Sequence, residues 1–448
     1  MTRTFDVAVI GAGASGALTA LQFARAVSGD AHGALIEAGA RAARGLAYGT
    51  PYGAHLLNVV AARMSAFPED PEHFLRWLRE NDPSAHAGTF APRAVYGDYL
   101  ASLLDEEPVH SRITRVGGTA VGISREDDHW MVHLHDDRGV AARAVVLALG
   151  NLPPYDPLNL GANAPAEYVR DPWARGAAVG LDAEAPVLLI GSSLTALDVA
   201  VALRHHGHRG TVYALSRHGR PSQPHAPYTP RPLASIPDEC ASPRGALRWV
   251  RREVESGAQW RAVVDSLRPH TTAIWRRWTL AQRGTFLRHA RNLWDVHRHR
   301  ASVSSEMEIL RGRVLSMTTV DRGLEVRHTG GTLTVARVFN CTGPACDYSR
   351  IDLPLVVQLR RAGLLTPDPL RLGVETDDDG RLLDTHGQPV PGLFTLGPLR
   401  RPALWESTAI PEIRTQAAAL ARVLAGNGTS GTNGTSGTNR TNRTNGKA

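Results

Sequence analysis

Lysine is almost missing from this chain: Lys447 is the only one, and arginine supplies the rest of the 50 basic side chains. We read this as GC-rich codon usage, but it has a chemical consequence. A folded body without lysine holds neither a Schiff-base lysine nor a phosphate-loop lysine. Cysteine is scarce too. Cys240, Cys341 and Cys346 make no CxxC pair and no metal-ligand set, so no metal site is expected, and Cys341 reads as a small core residue at an apolar strand end. No run of eighteen apolar residues occurs, which predicts no membrane span. The chain runs almost directly into a strand at Phe5, leaving no room for a signal peptide, and a cytoplasmic location is the expectation. The net charge of +7 falls to about +4 once Arg440, Arg443 and Lys447 of the polar C-terminal stretch are set aside. The clusters Arg298, His299, Arg300 and Arg400, Arg401 are short and form no continuous stripe, which argues against a nucleic-acid partner.

What is present is a pair of glycine-marked strand–turn–helix starts in a chain of 448 residues, long enough for two or three domains. The first reads Val-Ala-Val-Ile-Gly11-Ala-Gly13-Ala-Ser15-Gly16, and 26 residues after Gly11 comes Glu37. The second reads Val-Leu-Leu-Ile-Gly191-Ser192-Ser193-Leu-Thr195-Ala196, and at the same spacing comes Arg217. In such a start Gly11 makes the tight turn, Gly13 admits a pyrophosphate to the backbone and Gly16 lets the helix pack on the strand. The helix N-terminus then offers free N–H groups and a partial positive charge to the phosphates. An acid at the second strand end suits a ribose diol, and an arginine suits a 2′-phosphate, which its planar fork can grip. Two different dinucleotides on one chain point to electron transfer through a flavin.

The second start is looser, with Ser193 and Ala196 standing where glycines are usual. Thr195 either caps its helix or is an exposed first-turn residue. Asp198 reads as structural or solvated. Arg217 binds a phosphate or is a solvated loop residue, and Arg220 is a second candidate for the same role. His205, His206 and His208 sit at a helix end, where cations suit the dipole. His297 and His299, flanking Arg298, read either as a solvated basic helix end or as contacts to an anionic substrate or dinucleotide phosphates.

The expected fold is α/β, with two Rossmann-like dinucleotide-binding domains, one inserted in the other. Each copy of the plan is strand, glycine turn, helix, strand, a three-strand excursion, and a strand ending in glycine at Gly150 or Gly343. The excursions are Thr119–Ile123, Trp130–Leu134 and Ala142–Leu149, then Val314–Thr319, Gly323–His328 and Leu333–Asn340. We place the first part of one domain at 1–160, the inserted domain at 161–340, and the second part at 341–425. A tryptophan-rich helical insertion occupies about 246–299. A helix is expected from about Pro411 to Leu424, and 426–448 reads as a disordered tail.

Several motifs then occur in order: Gly45-Leu-Ala-Tyr48-Gly49, His55-Leu-Leu-Asn58-Val, Gly191-Ser-Ser-Leu-Thr195, Ser216-Arg217-His-Gly219, His297-Arg-His-Arg300, Asn340-Cys-Thr-Gly343-Pro and Trp405-Glu406-Ser407-Thr-Ala-Ile-Pro411. Together, over about residues 5–425, they resemble the bacterial FAD/NAD(P)-binding flavoprotein family, which is related to flavin-containing and N-hydroxylating monooxygenases. The resemblance implies FAD on the first fingerprint, with its ring beside the 45–60 segment and the Trp405–Pro411 turn. It implies NADPH on the second fingerprint, with NADH as the alternative. Cofactor-binding candidates are Gly11, Gly13, Ser15, Gly16, Glu37, Asn58, Gly150, Gly191, Ser192, Ser193, Thr195, Arg217, Gly343, Gly397 and Ser407. Polar candidates near the ring are Tyr48, Asn58 and Glu406. One departure stands out: Pro398 follows Gly397 where the family usually carries an aspartate for the ribityl chain.

The expected activity is an FAD-dependent NAD(P)H oxidoreductase, a monooxygenase in which reduced flavin and molecular oxygen form a C4a-(hydro)peroxide that oxygenates a small molecule, an amine nitrogen among the candidates. The alternatives are an NAD(P)H-dependent reductase or dehydrogenase without oxygen insertion, and a non-catalytic FAD-binding protein. The lack of a cysteine pair argues against the disulfide-reductase branch of flavoproteins.

Overall fold

The computed structural model describes residues 4–39, 41–174 and 176–428. Its strands are β1 (Phe5–Ile10), β2 (Gly33–Glu37), β3 (Ile113–Gly117), β4 (Ala120–Glu126), β5 (His129–Leu134), β6 (Gly139–Leu147), β7 (Tyr168–Val169), β8 (Val187–Ile190), β9 (Val212–Ser216), β10 (Glu308–Arg311), β11 (Val314–Val320), β12 (Gly323–His328), β13 (Gly331–Val335), β14 (Arg337–Asn340), β15 (Arg381–Leu383) and β16 (Pro389–Thr395). Among the described residues these strands make three sheets. The largest runs β15-β16-β6-β1-β2-β3, with the antiparallel β4–β5 pair joined through β6. Its centre is parallel, and Val7–Ile10 are buried, as a strand covered on both faces must be. Helix Ala14–Ala26 and the last helix, Ile410–Gly428, cover one face with small and branched side chains such as Ala17, Ala20, Ala417 and Leu420.

The second sheet, β10-β9-β8-β14-β7, is wholly parallel, and β11-β12-β13 is an antiparallel excursion beside it. The expected single strand Leu333–Asn340 is in fact two. It breaks at Ala336, so that β13 pairs within the excursion and β14 crosses to the parallel sheet. In each parallel sheet the order reverses beside the first strand, at β6-β1-β2 and at β14-β8-β9, and a crevice at such a reversal is where dinucleotides lie.

The insertion is helical, running from Pro243–Glu255 through Trp260–Leu267, Thr271–Arg277 and Leu280–His289 to Arg291–Arg298. Ser242 caps its first helix, and Thr279 with Gln282 forms a reciprocal capping box on the fourth. Trp249, Trp275, Trp278 and Phe286 build a separate core that also takes in Trp405. The last helix of the chain passes the expected end at Leu424 and reaches Gly428; the rest of the expected tail lies outside the described residues. No described helix is long and apolar enough to cross a membrane.

An ion pair joins the two parallel-sheet units. Arg93 opens helix Arg93–Asp105 and donates both terminal nitrogens to Asp198 on helix Leu194–His205, at 2.8 and 3.0 Å. Its Nε donates to the Leu56 carbonyl at 3.0 Å. His55 Nε2 donates to the Asp198 carbonyl at 2.9 Å, so the Thr50 hydroxyl donates to Nδ1 at 2.8 Å. Both members of the fork are largely buried. Removing one therefore strands the other charge, at a cost of about 3–5 kcal/mol. We expect Arg93→Ala to lose that much stability in urea unfolding at pH 7, and Arg93→Lys, which keeps the charge without the fork, to lose less.

Candidate active site

The carboxyl ends of both parallel sheets open on one cavity of about 440 Å³. The first unit contributes the Gly11–Ser15 turn, Glu37 at the end of β2 and Ala148–Gly150 after β6. The second contributes Leu194, Thr195 and Asp198 from its helix, with Asn340 and Gly343 after β14. Arg93 completes the wall, so the fork between the units is also a boundary of the cavity.

The glycine turn is built tightly. Gly11 has φ +99°, and a Cβ there would stand 2.6 Å from the Ala148 carbonyl oxygen. A Cβ at Gly16 would stand 1.8 Å from the Gly11 carbonyl oxygen. Gly16 therefore acts by packing beneath the turn and does not line the cavity. Gly13 meets Gly45, which is left-handed at φ +50° and opens the short helix Gly45–Tyr48. Glu37 is already oriented: Oε2 accepts from Ala12 N–H at 3.1 Å and Oε1 from Gly39 N–H at 2.8 Å.

Tyr48 and Asn58 line the same cavity, as do Thr408–Ile410 at the start of the last helix. Burial pushes the Tyr48 hydroxyl well above its ordinary value, against the opposing charge of Arg93, so it stays protonated. Ser407, a cofactor-binding candidate, is fully buried next to this wall and does not line the cavity; its hydroxyl lacks a hydrogen-bond partner among the described residues. Gly397 (φ +73°) sits beside Ser15 and donates its N–H to Gln416 at 3.0 Å, while Pro398 lines the cavity. A glycine turn that admits backbone approach, a pre-set carboxylate and a helix start on one cavity fit an adenine dinucleotide carrying a flavin.

The second fingerprint is only partly at the cavity. Gly191 has φ +133°, and a Cβ would stand 2.3 Å from the Cys341 carbonyl oxygen, which repeats the Gly11–Ala148 contact. Ser193 is the N-cap residue without a side-chain cap bond, and Thr195 lines the cavity instead of capping the helix. The Ser192 hydroxyl donates to the Arg220 carbonyl at 2.8 Å and shares a 2.8 Å bond with Ser216, which orders the arginine turn. Arg217 and Arg220 are exposed on that turn, outside the cavity. His218 is pushed below its ordinary value first by desolvation and then by the charges of Arg217, Arg220, Arg311 and Arg313. Among the described residues none of these four arginines has a carboxylate partner.

Three readings are corrected. The basic helix end is not solvated: Arg298 and Arg300 are buried, with Glu406 3.6 Å from Arg298 and Asp265 paired to Arg300. Glu406 does not line the cavity but lies behind it, accepting from Trp294 Nε1 at 3.1 Å. His208 is buried, and desolvation pushes it down, so it is no cation for the helix dipole. His299 lines the cavity, and burial, outweighing Glu406, keeps it neutral at pH 7. Arg93 and Trp173 were not legible as site residues, because each reaches the cavity through contacts distant in sequence, whereas Gly45 falls in the 45–60 segment expected beside the ring.

Residues 8–152 match the family model described as FAD-NAD(P)-binding. The matched segment takes in the Gly11–Gly16 turn, Glu37 and Gly150. None of the curated proteins matches the chain. Among solved structures it is similar to L-lysine 6-monooxygenase from Pseudomonas syringae, at 18% identity and TM-score 0.61 over 94% of this chain and 99% of that one. Ornithine hydroxylase from Pseudomonas aeruginosa gives 15% and 0.59 over 95% and 99%. Thioredoxin reductase from T. acidophilum gives 15% and 0.52 over 96% and 100%. A monooxygenase, a hydroxylase and a thioredoxin reductase thus share the fold of this chain.

Burial alone would raise the Glu406 carboxyl, but Arg298, His299, the Trp294 N–H and Arg401 outweigh it and hold it below the usual range. Because His299 is neutral at pH 7, Arg298 is the main counter-charge. A carboxyl held low stabilises the fold above the ordinary glutamate pKa of about 4.3 and loses that contribution as pH falls through its own lower value. We expect Glu406→Gln to cost about 3 kcal/mol at pH 7 by stranding Arg298. Urea unfolding at pH 7 and pH 4 should show the variant losing less between the two than the parent does.

Proposed function

We propose that the chain is an FAD-dependent oxidoreductase that draws electrons from NADPH and oxygenates a small molecule, with a nucleophilic nitrogen as the favoured target. The observation that carries this reading is the single cavity onto which both nucleotide-binding sheets open, with no thiol pair beside it. Cys240 and Cys341 are buried, and burial raises the Cys240 thiol to about 11 and the Cys341 thiol further. Desolvation also raises Cys346, the first of several influences. Three raised thiols without a partner are poor material for disulfide exchange. This favours the oxygenase neighbours over the thioredoxin reductase neighbour as a guide. A reductase without oxygen insertion remains the second reading, supported by the same shared cavity.

In this reading each part of the chain has a defined task. The Gly11–Ser15 turn and the helix behind it bind the pyrophosphate, and Glu37 accepts from the ribose hydroxyls. When bound, the flavin would supply the two-electron chemistry and the reaction with oxygen. Ile410, at the start of the last helix, brings a partial positive end to the cavity that favours negative charge there. Tyr48 and Asn58 offer neutral polar atoms, and Leu57, Val59 and Met64 exclude water. His299, neutral and on the wall, is placed to take up a proton from a substrate.

The four-arginine group beside His218 selects the 2′-phosphate of NADPH. We expect Arg217→Ala to raise the KM for NADPH by about tenfold, equivalent to ~1.4 kcal/mol, and to leave that for NADH within about twofold. The oxygenase reading is tested by coupling. With an amine substrate, NADPH consumed should match oxygenated product one for one, and full diversion to hydrogen peroxide for every amine offered contradicts it.

A further inference from the structure

A second cavity, of about 490 Å³, lies inside the helical insertion. It shares no lining residue with the dinucleotide cavity. Its floor is Val264, Leu267, Ile274, Trp278 and Phe286, all buried. Helix Pro243–Glu255 turns Trp249 into the core of the insertion, yet it lays Leu247, Val250 and Val254 along this open space. Val254 is 36% exposed, an unusual position for an apolar residue on a helix that has a core to pack against. Permanent charge enters at the lip, through the exposed Arg251 and Glu255, while His297 on the wall is engaged by its Nδ1 with the Leu293 carbonyl at 2.7 Å. Thr271 spends its hydroxyl on the Arg268 carbonyl.

Trp405 also lines the cavity and is held there at a price in backbone strain. Its φ is +60°, a region costly for a bulky side chain, and its ring stacks on Trp275 at 4.8 Å with Phe286 edge-on at 5.0 Å. Trp294 lines the cavity as well and donates to Glu406, which forms the partition towards the dinucleotide site. Protein interiors leave few voids larger than a water molecule, because apolar walls without a neighbour forfeit their dispersion contacts. A volume in the range that holds drug-sized ligands, walled by indoles and closed by strained backbone, is a built pocket.

We propose that the helical insertion binds a small, uncharged, mainly aromatic molecule between Trp260, Trp278, Trp294 and Trp405. The class follows from the walls. Indole faces suit a flat apolar body, and the floor offers no partner for an ion or a phosphate. The site stands independently of whether the flavin turns over with oxygen. Its occupant touches Trp405 and Trp294, the two residues that lead to Glu406 and to Thr408–Ile410 on the dinucleotide cavity.

The test is titration of the full-length, FAD-loaded protein with N-phenyl-1-naphthylamine, an uncharged aromatic that fluoresces in apolar surroundings. We expect saturable one-to-one binding with energy transfer from tryptophan, unaffected by saturating NADP⁺. Val264→Trp, which fills the floor, should weaken binding at least tenfold. Val254→Arg, at the exposed lip where folding is not at stake, should weaken it several-fold with circular dichroism and FAD content unchanged. Non-saturating binding, displacement by NADP⁺, or parental affinity in Val254→Arg overturns the proposal.

Discussion

The bidentate contact between Arg93 and Asp198 is the constraint on which the rest of the site depends. It fixes helix Arg93–Asp105 of the first nucleotide-binding unit against helix Leu194–His205 of the second, and both side chains are cavity wall. His55 reinforces it from the backbone side, holding the Asp198 carbonyl while its other ring nitrogen is held by Thr50. Burial raises the Asp198 carboxyl and the Arg93 charge opposes this, so the pair is sustained by geometry more than by charge alone. A fork of this kind sets the angle between the units, which decides whether a nicotinamide on one sheet reaches a flavin on the other.

A second link runs through the turn that precedes the last helix. The turn from Trp405 to Ile410 anchors its first residue in the core of the insertion and delivers its last residues to the dinucleotide site. Glu406 sits between, neutralising Arg298 and accepting from Trp294. The insertion is therefore not an appendage. Its packing determines where the last helix begins, and with it where a partial positive charge meets the cavity.

The elements legible from sequence were those whose reasons are local. Gly11 and Gly16 needed only the tight turn, and Glu37 only the end of the next strand; the Cβ clashes and the Ala12 hydrogen bond express that same local geometry. Features set by distant partners were not legible. Arg298 and Arg300 read as a solvated end because Glu406 and Asp265, which permit their burial, lie far away in the chain. The break at Ala336 was hidden because Leu333-Thr-Val-Ala-Arg-Val-Phe-Asn340 carries no glycine or proline to mark it, and only the sheet assignment of each half separates them. Thr195 read as a cap or as an exposed first-turn residue, but it lines the cavity because the second unit is docked against the first.

The central claim is that one cavity brings reduced nicotinamide to bound flavin. Anaerobic mixing of the FAD-loaded protein with NADPH, followed by the visible flavin absorbance, tests it most directly. We expect bleaching to the reduced spectrum in a single phase, faster with NADPH than with NADH. A flavin that stays oxidised under excess NADPH contradicts it.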